Sequence, residues 1–275
     1  MTLHHVVAGV DGSLVSVRAL DWAAAEAVRR GVTLRVVYAV ADRDEAVPVL
    51  RSAASRVRRR QPGLRVVPVA VQGGAVHALS RASADAGLTV VGTRGLGVVA
   101  GAALGSVSSR LVALARGPIL VVRGDHPCDG GRDVLLGLAD DAGAAAAYAF
   151  EEAERRGARL RVLHSRTHRH VAPEPPSLVL LRGGGRERPA RYDRAEEAVA
   201  CHALDHLRER HPDVVVETHT VRSVPARVLL EATGEAAVVV IGARRRTSVS
   251  GARPGPLTRT LLHRAHCPVV VVPHV

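Results

Sequence analysis

Lysine is absent from the chain, so all 38 residues in the lysine-plus-arginine count are arginines, and the formal net charge is +12. The phosphate-binding loop G-x-x-x-x-G-K-[ST] needs its lysine, and this absence excludes the standard P-loop kinases and GTPases. Aromatic residues make up only 2% of the 275 residues, whereas hydrophobic residues make up 47%. The interior must therefore be built from valine, leucine and alanine.

Cysteine is also scarce, because the chain has only Cys128, Cys201 and Cys267 and no C-x-x-C pair. This usage argues against a disulfide framework or a zinc ribbon and fits a reducing compartment. The N-terminal stretch MTLHHVVAGVDGS lacks a charged region followed by a long apolar one, and no apolar run approaches the ~20 residues of a membrane helix. We therefore expect a cytoplasmic protein with no membrane partner and no metal site.

The sequence contains an internal repeat. The stretch HVVAGVDGS near the start is matched by DVLLGLADD from residue 133, and each is followed by an alanine-rich helical stretch. The segment ARGPILVVR (115–123) is likewise matched by AHCPVVVVP (265–273). The intervening GDHPCDGGR (124–132) has the glycine, proline and aspartate content of a linker. The repeat predicts two domains, residues 1–124 and 132–275.

Short valine-rich runs alternate with helix-length stretches in each half, which predicts an α/β fold with parallel strands and helices on both faces. The second half carries a longer segment over 166–193, rich in proline, glycine and arginine, which we interpret as an exposed loop. Strands are expected near 4–10, 33–40, 65–71, 88–92 and 118–123, and near 133–138, 159–165, 214–221, 237–242 and 268–273.

A glycine-rich stretch, VGTRGLGVVAGAALGSVSSR (91–110), follows the fourth expected strand and leads into a helix. In an open parallel sheet, ligands bind beyond the carboxyl ends of strands where the strand order reverses. Glycines there let backbone N–H groups approach phosphate oxygens, and a helix N-terminus at Gly105 and Ser106 favours an anion. Ser106 and Ser108 would add hydroxyl donors. The stretch predicts a phosphate site that needs no lysine.

The spacing of Gly92, Gly95, Gly105 and Ser106 resembles the ATP-binding motif G-x2-G-x9-G-[ST] of the universal stress protein family. The VDGS at 10–13 and the closing GPILVV are similar to that family too, and the resemblance covers the whole chain as two tandem copies. It implies two doubly wound domains, each a five-stranded parallel sheet of order 3-2-1-4-5. It also implies a nucleotide held between the first and fourth strands.

Carried over residue by residue, the resemblance implies an ATP site in the first half, with or without magnesium. It implies no catalytic residue. The phosphates and ribose would be held by Gly92, Gly95, Gly105 and Ser106. At the nucleoside end, Val10 and Asp11 would follow the first strand, Val40 would flank the adenine, and Val91 would line the pocket floor.

The second half departs from the motif. Pro256 replaces the serine and removes both a hydroxyl and a backbone N–H, and Arg245 stands where the second glycine belongs. Arg166 occupies the position of Val40. We therefore expect one ATP per chain, bound in the first half. The first and third glycines of the motif are kept as Gly242 and Gly255. Ala139 stands where the first half has Asp11, and the next residue is Asp140.

Three functions remain open on these residues. The leading one is an ATP-binding regulatory protein of the stress response; a nucleotide-hydrolysing enzyme is the second, although the signatures S-G-G-x-D-S and H-x-G-H are absent. The third is an arginine-rich nucleic-acid binder using RVRRR (56–60) and RRR (244–246), which the lack of aromatics disfavours. More simply, Gly92 and Gly95 could serve a tight turn, and Asp11 could cap a helix.

The last strands of the two halves, 118–123 and 268–273, are both apolar edge strands, and an uncovered edge invites pairing. Members of the family usually pair through their last strands. We expect these two to lie antiparallel and adjacent, so that the halves form a pseudo-dimer within one chain. Further association of two chains into a homodimer stays open.

Overall fold

The computed structural model describes residues 5–93, 105–123, 133–138, 143–165, 204–221, 225–244 and 254–274. The strands of the first half are β1 (His5–Gly9), β2 (Thr33–Val40), β3 (Val66–Gln72), β4 (Leu88–Gly92) and β5 (Ile119–Val122). Those of the second half are β6 (Asp133–Leu138), β7 (Leu160–Ser165), β8 (Val216–Val221), β9 (Ala236–Arg244) and β10 (Val269–His274). The expected loop over 166–193 lies outside the described residues.

Helices connect these strands. They are α1 (Leu14–Arg29), α2 (Ala46–Arg60), α3 (Ala75–Ala82), α4 (Ser106–Leu114), α5 (Gly143–Arg156), α7 (Pro225–Ala232) and α8 (Pro256–Arg264). A helix over the described residues 204–210 is α6.

The strands form one sheet in the order β3-β2-β1-β4-β5-β10-β9-β6-β7-β8. Neighbouring strands within each half are parallel. Each half therefore has the order 3-2-1-4-5, and the prediction of two tandem doubly wound units is confirmed. The first strand of each half lies in the middle of its five strands, with the second strand on one side and the fourth on the other. The strand order therefore reverses at this first strand.

The two halves meet at β5 and β10, which pair antiparallel, with Leu120 opposite Val270. The predicted adjacency of these two strands is present. The pairing covers both apolar edges, so β3 and β8 become the outer strands of the sheet. Pro68 in β3 lacks a backbone N–H, and β8 carries polar residues such as Glu217, which blunts both outer edges against further pairing.

Buried residues cover both faces of the sheet. One cluster packs β1 and β2 against α1 and α2 and continues to α5, and the other lies under α3, α4, α7 and α8. Alanines 19, 23 and 27 repeat every four residues along the buried stripe of α1. Their small side chains let this helix lie close to the sheet. Trp22 is only 2% exposed and belongs to the core.

The strand pairing between the halves can be tested with an engineered disulfide. Leu120→Cys/Val270→Cys, in a chain whose three native cysteines are replaced by alanine, should form an intramolecular disulfide on mild oxidation. Directly paired residues of antiparallel strands have Cα atoms about 4.5–5.5 Å apart, within the range for a disulfide. Mass spectrometry after oxidation measures the loss of two hydrogens.

Leu120→Cys/Val240→Cys is the matched control, because Val240 lies one strand further away, opposite Val270. Two strand spacings amount to about 9.6 Å, too far for a disulfide. Equal oxidation of the two double variants would contradict the β5–β10 pairing.

Candidate functional site

The candidate site lies at the carboxyl ends of β1 and β4. Ala8 pairs with Val90, so the chain leaves the two neighbouring strands side by side, through Val10 and Gly92. From there it turns to opposite faces of the sheet, into α1 on one face and towards α4 on the other. This is the reversal point of the first half, where the two diverging loops leave a crevice.

The loop from β1 to α1 is held by its own polar side chains. Asp11 Oδ1 accepts hydrogen bonds from the Ser13 backbone N–H (3.0 Å) and from Ser13 Oγ (2.7 Å). Ser13 is the N-cap of α1 and accepts from the N–H of Ser16 at 3.2 Å. Gly12 between them has φ +83°, which suits glycine. The cap is thus Ser13, and the half-buried Asp11 orients it.

Gly92 allows α1 to approach β4 closely. A Cβ at this position would lie 2.7 Å from Cγ1 of Val15 and 3.1 Å from its carbonyl oxygen. Val15 is in the first turn of α1, so even a methyl group here would push the start of that helix away from the strand. Close packing of α1 against β4 is therefore a structural reason for glycine at position 92, separate from the tight turn considered above.

The start of α4 is tied to the end of β4 by two hydrogen bonds. The Gly105 N–H donates to the Thr93 carbonyl, and the buried hydroxyl of Ser108 donates to the Gly92 carbonyl at 2.5 Å. The expectation that Ser108 offers its hydroxyl to a ligand is therefore wrong, because that hydroxyl is used internally. The N–H groups of Ser106 and its neighbour Val107 precede the first bond within the helix, from Ser109 to Gly105.

The three valines of the expected site are buried but not on one side. Val10 and Val40 belong to the cluster under α1 and α2, whereas Val91 belongs to the cluster on the opposite face. The carbonyl of Val40 accepts from the Gly73 N–H at 2.9 Å. Ser106 is exposed at the start of α4. The structure thus brings Val10, Asp11, Gly92 and the α4 start to one edge, and Gly95 lies outside the described residues.

A pocket of about 270 Å³ opens between α1 and α2, next to Val10. The residues of α2 that line this pocket were not predicted from the sequence, where the one indication of them is the apolar run AVPVL at the start of that helix. The pocket offers an apolar surface beside the edge where the β1–α1 loop begins. It is lined by Val10, Gly12, Ser16, Val17, Leu20, Pro48, Val49, Ser52, Ala53 and Arg56.

The equivalent edge of the second half is built differently. A Cβ on Gly242 would make only ordinary contacts, 3.5 Å to the His274 ring and 3.6 Å to Ala145. Helix α8 begins at Pro256, after the N-cap Gly255, so its first residue has no backbone N–H to offer. The other second-half positions of the expected motif, Ala139, Asp140, Arg166 and Arg245, lie outside the described residues.

Within the described ranges, no helix is long and apolar enough to span a membrane, and no group of three or more histidine, cysteine or acidic residues could hold a metal ion. Burial raises the pKa of the Cys267 thiol to about 12. At neutral pH it is therefore a protonated core side chain and not a nucleophile.

A doubly wound sheet with a crevice at its reversal point defines a class of α/β proteins that bind ligands at strand ends. The profile of the Universal stress protein family matches residues 2–123 and again 132–273. The chain therefore belongs to the universal stress protein family, as a tandem member with two copies of the fold.

Similar proteins share this tandem organisation. Universal stress protein Rv1996 of Mycobacterium tuberculosis is 31% identical over 302 residues, covering 97% of this chain and 94% of the relative. Universal stress protein Rv2005c of the same organism is 33% identical over 294 residues, covering 98% and 96%. A crystal structure of a universal stress protein from Archaeoglobus fulgidus has a TM-score of 0.64 at 16% identity, with 99% of each chain covered. At that identity, the likeness shows the fold.

The packing role of Gly92 can be separated from any role in binding. Gly92→Ala should lower the free energy of unfolding by about 1–3 kcal/mol, because the new methyl group overpacks the contact with Val15. Denaturant unfolding of the full chain measures the change.

Gly242→Ala is the matched control at the equivalent strand position. Its methyl group fits at ordinary contact distances, so it should be neutral or stabilise the chain by up to about 1 kcal/mol, through the less flexible unfolded state. Equal destabilisation by the two substitutions would show that the close approach of α1 is not specific to the first half.

Proposed function

We propose that the chain binds ATP at the carboxyl edge of β1 and β4 and acts as a nucleotide-dependent regulatory protein of the stress response. The observation that carries the proposal is the attachment of α4 to β4 through Gly105–Thr93 and Ser108–Gly92. These two bonds fix a helix N-terminus beside the reversal point of the sheet. Backbone N–H groups and the positive end of the helix dipole favour phosphate there.

In this proposal the phosphates and ribose contact the α4 start and the glycine-rich stretch before it. The N–H groups of Ser106 and Val107 and the hydroxyl of Ser106 are the donors, and Gly95 leaves room for the ligand. Gly92 contributes by letting α1 pack close to the end of β4. Magnesium, where present, would be bound by the phosphates of the nucleotide. The nucleoside would lie against Val10, Asp11 and Val40, and Val91 would support the strand end from the opposite face.

The second half, residues 132–275, serves in this proposal as a structural partner for the first, residues 1–124. Pro256 removes a donor at the first position of α8, which is also where the ligand-facing N–H group would be. The His274 ring lies close to Gly242 on the α5 side. One nucleotide per chain follows, and the two halves act as an intramolecular pseudo-dimer. A dimer of chains would need a surface other than the paired β5 and β10.

An enzymatic role is the weaker alternative. Among the described residues at the crevice, Asp11 is the carboxylate, and its Oδ1 already accepts two hydrogen bonds from Ser13. A carboxylate that holds the cap of α1 is a poor candidate for the general base that hydrolysis needs. We therefore propose binding without efficient hydrolysis, in a cytoplasmic setting.

Nucleic-acid binding is the other alternative, and the arginines at the end of α2 argue against it. Arg56 forms a two-pronged pair with Asp21 (2.7 Å for each bond), and Arg60 contacts the same carboxylate at 3.3 Å. A carboxylate within the basic cluster lowers its attraction for a phosphate backbone.

The ATP site is tested by Ser106→Pro, which gives α4 the Gly-Pro start found in α8. Proline is well tolerated at the first position of a helix, so the fold should survive. The variant loses one N–H and one hydroxyl. Charge-assisted hydrogen bonds contribute about 1.5–3 kcal/mol each, so the Kd for ATP should rise about tenfold or more. Isothermal titration calorimetry of the full chain should give a stoichiometry near one for the wild type.

Pro256→Ser is the reciprocal control and should leave both the Kd and the stoichiometry unchanged. Undiminished binding by Ser106→Pro would refute the α4 site. A wild-type stoichiometry near two would show that the second half binds ATP as well. A rise to two in Pro256→Ser would show that Pro256 alone keeps ATP out of the second half.

A further inference from the structure

A buried cluster of charges lies between α1 of the first half and α5 of the second. Arg30 Nη2 contacts Glu152 Oε2 at 2.7 Å, and Arg156 Nη2 contacts Glu26 Oε1. Each arginine also contacts the glutamate of its own helix, at 3.4 Å for Arg30–Glu26 and 2.6 Å for Arg156–Glu152. The side chains of the two glutamates are only 1% and 2% exposed. Two charge pairs thus cross the boundary between the halves inside the protein.

Each of the two helices contributes a row of three side chains to this cluster, an aromatic residue, a glutamate and an arginine, and we call each row a ladder. Trp22 and Glu26 on α1 and its C-cap Arg30 occupy successive turns, as do Tyr148, Glu152 and Arg156 on α5. The guanidinium of Arg30 lies 5.4 Å from the centroid of the Tyr148 ring, and that of Arg156 lies 5.7 Å from the centroid of the Trp22 ring. The surface is therefore self-complementary, as in a two-fold symmetric dimer.

The ladders differ at the aromatic position. Arg30 Nη2 donates a hydrogen bond to the Tyr148 hydroxyl at 2.7 Å. The tryptophan indole is a donor only, so Trp22 offers Arg156 a ring face and no acceptor. A pair of two first halves would place arginine against tryptophan on both sides and lack this hydrogen bond. For a first half, the cluster therefore favours a second half over another first half as partner.

The strand pairing at the same boundary does not discriminate between partners. It consists of main-chain hydrogen bonds between ILVV and VVVV, two almost equivalent apolar strands. The choice between partner domains must therefore come from side chains that destabilise a wrong pair, and buried charges do so when they face a like charge or no charge. Burial alone would raise the pKa of Glu152, but Arg156 and Arg30 outweigh it and lower that pKa. A partner without an arginine at the position of Arg30 would leave this buried carboxylate with only the arginines of its own helix.

We propose that the α1–α5 charge cluster is the recognition surface by which the first half selects its partner domain. The partner that it fits is a domain of the same fold with a tyrosine, a glutamate and an arginine on successive turns of its first helix, beside an apolar last strand. The second half of the same chain meets these requirements, and so does the second half of another copy. Mismatched ladders within one chain should therefore drive the exchange of halves between chains.

Charge swaps that keep the net charge of each helix test this proposal. One chain carries Glu26→Arg/Arg30→Glu, which places like charges opposite Arg156 and Glu152. A second chain carries Glu152→Arg/Arg156→Glu, which does the same from α5. In a dimer that exchanges halves between these two chains, every first half meets a matched second half. Native mass spectrometry of co-expressed chains with tags of different mass separates homodimers from heterodimers.

The heterodimer should exceed either homodimer by more than about tenfold, because like charges at a buried interface strongly disfavour the mismatched pairs. The chain with all four substitutions should have the assembly state of the wild type and should unfold near the wild-type midpoint. Should either half-swapped chain fail to fold alone, co-expression with the other should recover it. A swap of the exposed pair Arg227 and Glu231 on α7 is the control and should change neither assembly nor unfolding.

Two results would overturn the proposal. The half-swapped chains could keep the assembly state of the wild type and unfold at the wild-type midpoint, in which case the cluster does not select the partner. Alternatively, co-expression could give no heterodimer, and the fourfold variant could unfold well below the wild-type midpoint. The matched arrangement of charges would then not be what joins the halves.

Discussion

The contact of α1 with β4 at Gly92 is the constraint on which the first-half crevice depends. Because the glycine lacks a Cβ, the first turn of α1 can rest on the strand end, with Val15 against the Gly92 backbone. The carbonyl of the same glycine accepts the buried Ser108 hydroxyl from α4. One residue thus fixes two helix starts, one on each face of the sheet, and it places both beside the end of β1.

The repeat separates framework positions from site positions. Ser83 and Thr233 follow α3 and α7 at the same point of each half, and their hydroxyls accept from the N–H groups of Arg116 (3.2 Å) and His266 (3.0 Å). Such connections need the same chemistry in both copies to keep the fold. At the crevice, by contrast, the copies differ in the residue that begins the last helix. The difference therefore lies where a ligand would bind and not where the sheet is held together.

Much of the fold could be predicted from the sequence, because buried parallel strands are continuous apolar runs bounded by turns. Predicted strand limits such as 33–40 and 88–92 coincide with β2 and β4. The strand order needed more than periodicity and came from the family resemblance. At the site, the sequence indicated the α4 start but not that Ser108 bonds inward, because hydroxyl direction depends on how the helix is seated.

The charge cluster between the halves could not be predicted from the sequence for a physical reason. Glutamate and arginine four residues apart on a helix are typical of a solvated face. Only the antiparallel pairing of β5 and β10 brings the two ladders together and excludes water from them. Long-range packing, rather than local pattern, decides whether such residues are exposed or buried.

The central claim is that a single nucleotide is bound per chain, at the carboxyl edge of the first half. A crystal structure of the full chain grown with a non-hydrolysable ATP analogue tests it most directly. If one ATP binds in the first half, electron density for the triphosphate should lie at the N-terminus of α4, against Ser106 and Val107, and none should lie at the start of α8. Density at the start of α8, or an empty α4 edge at saturating analogue, would contradict it.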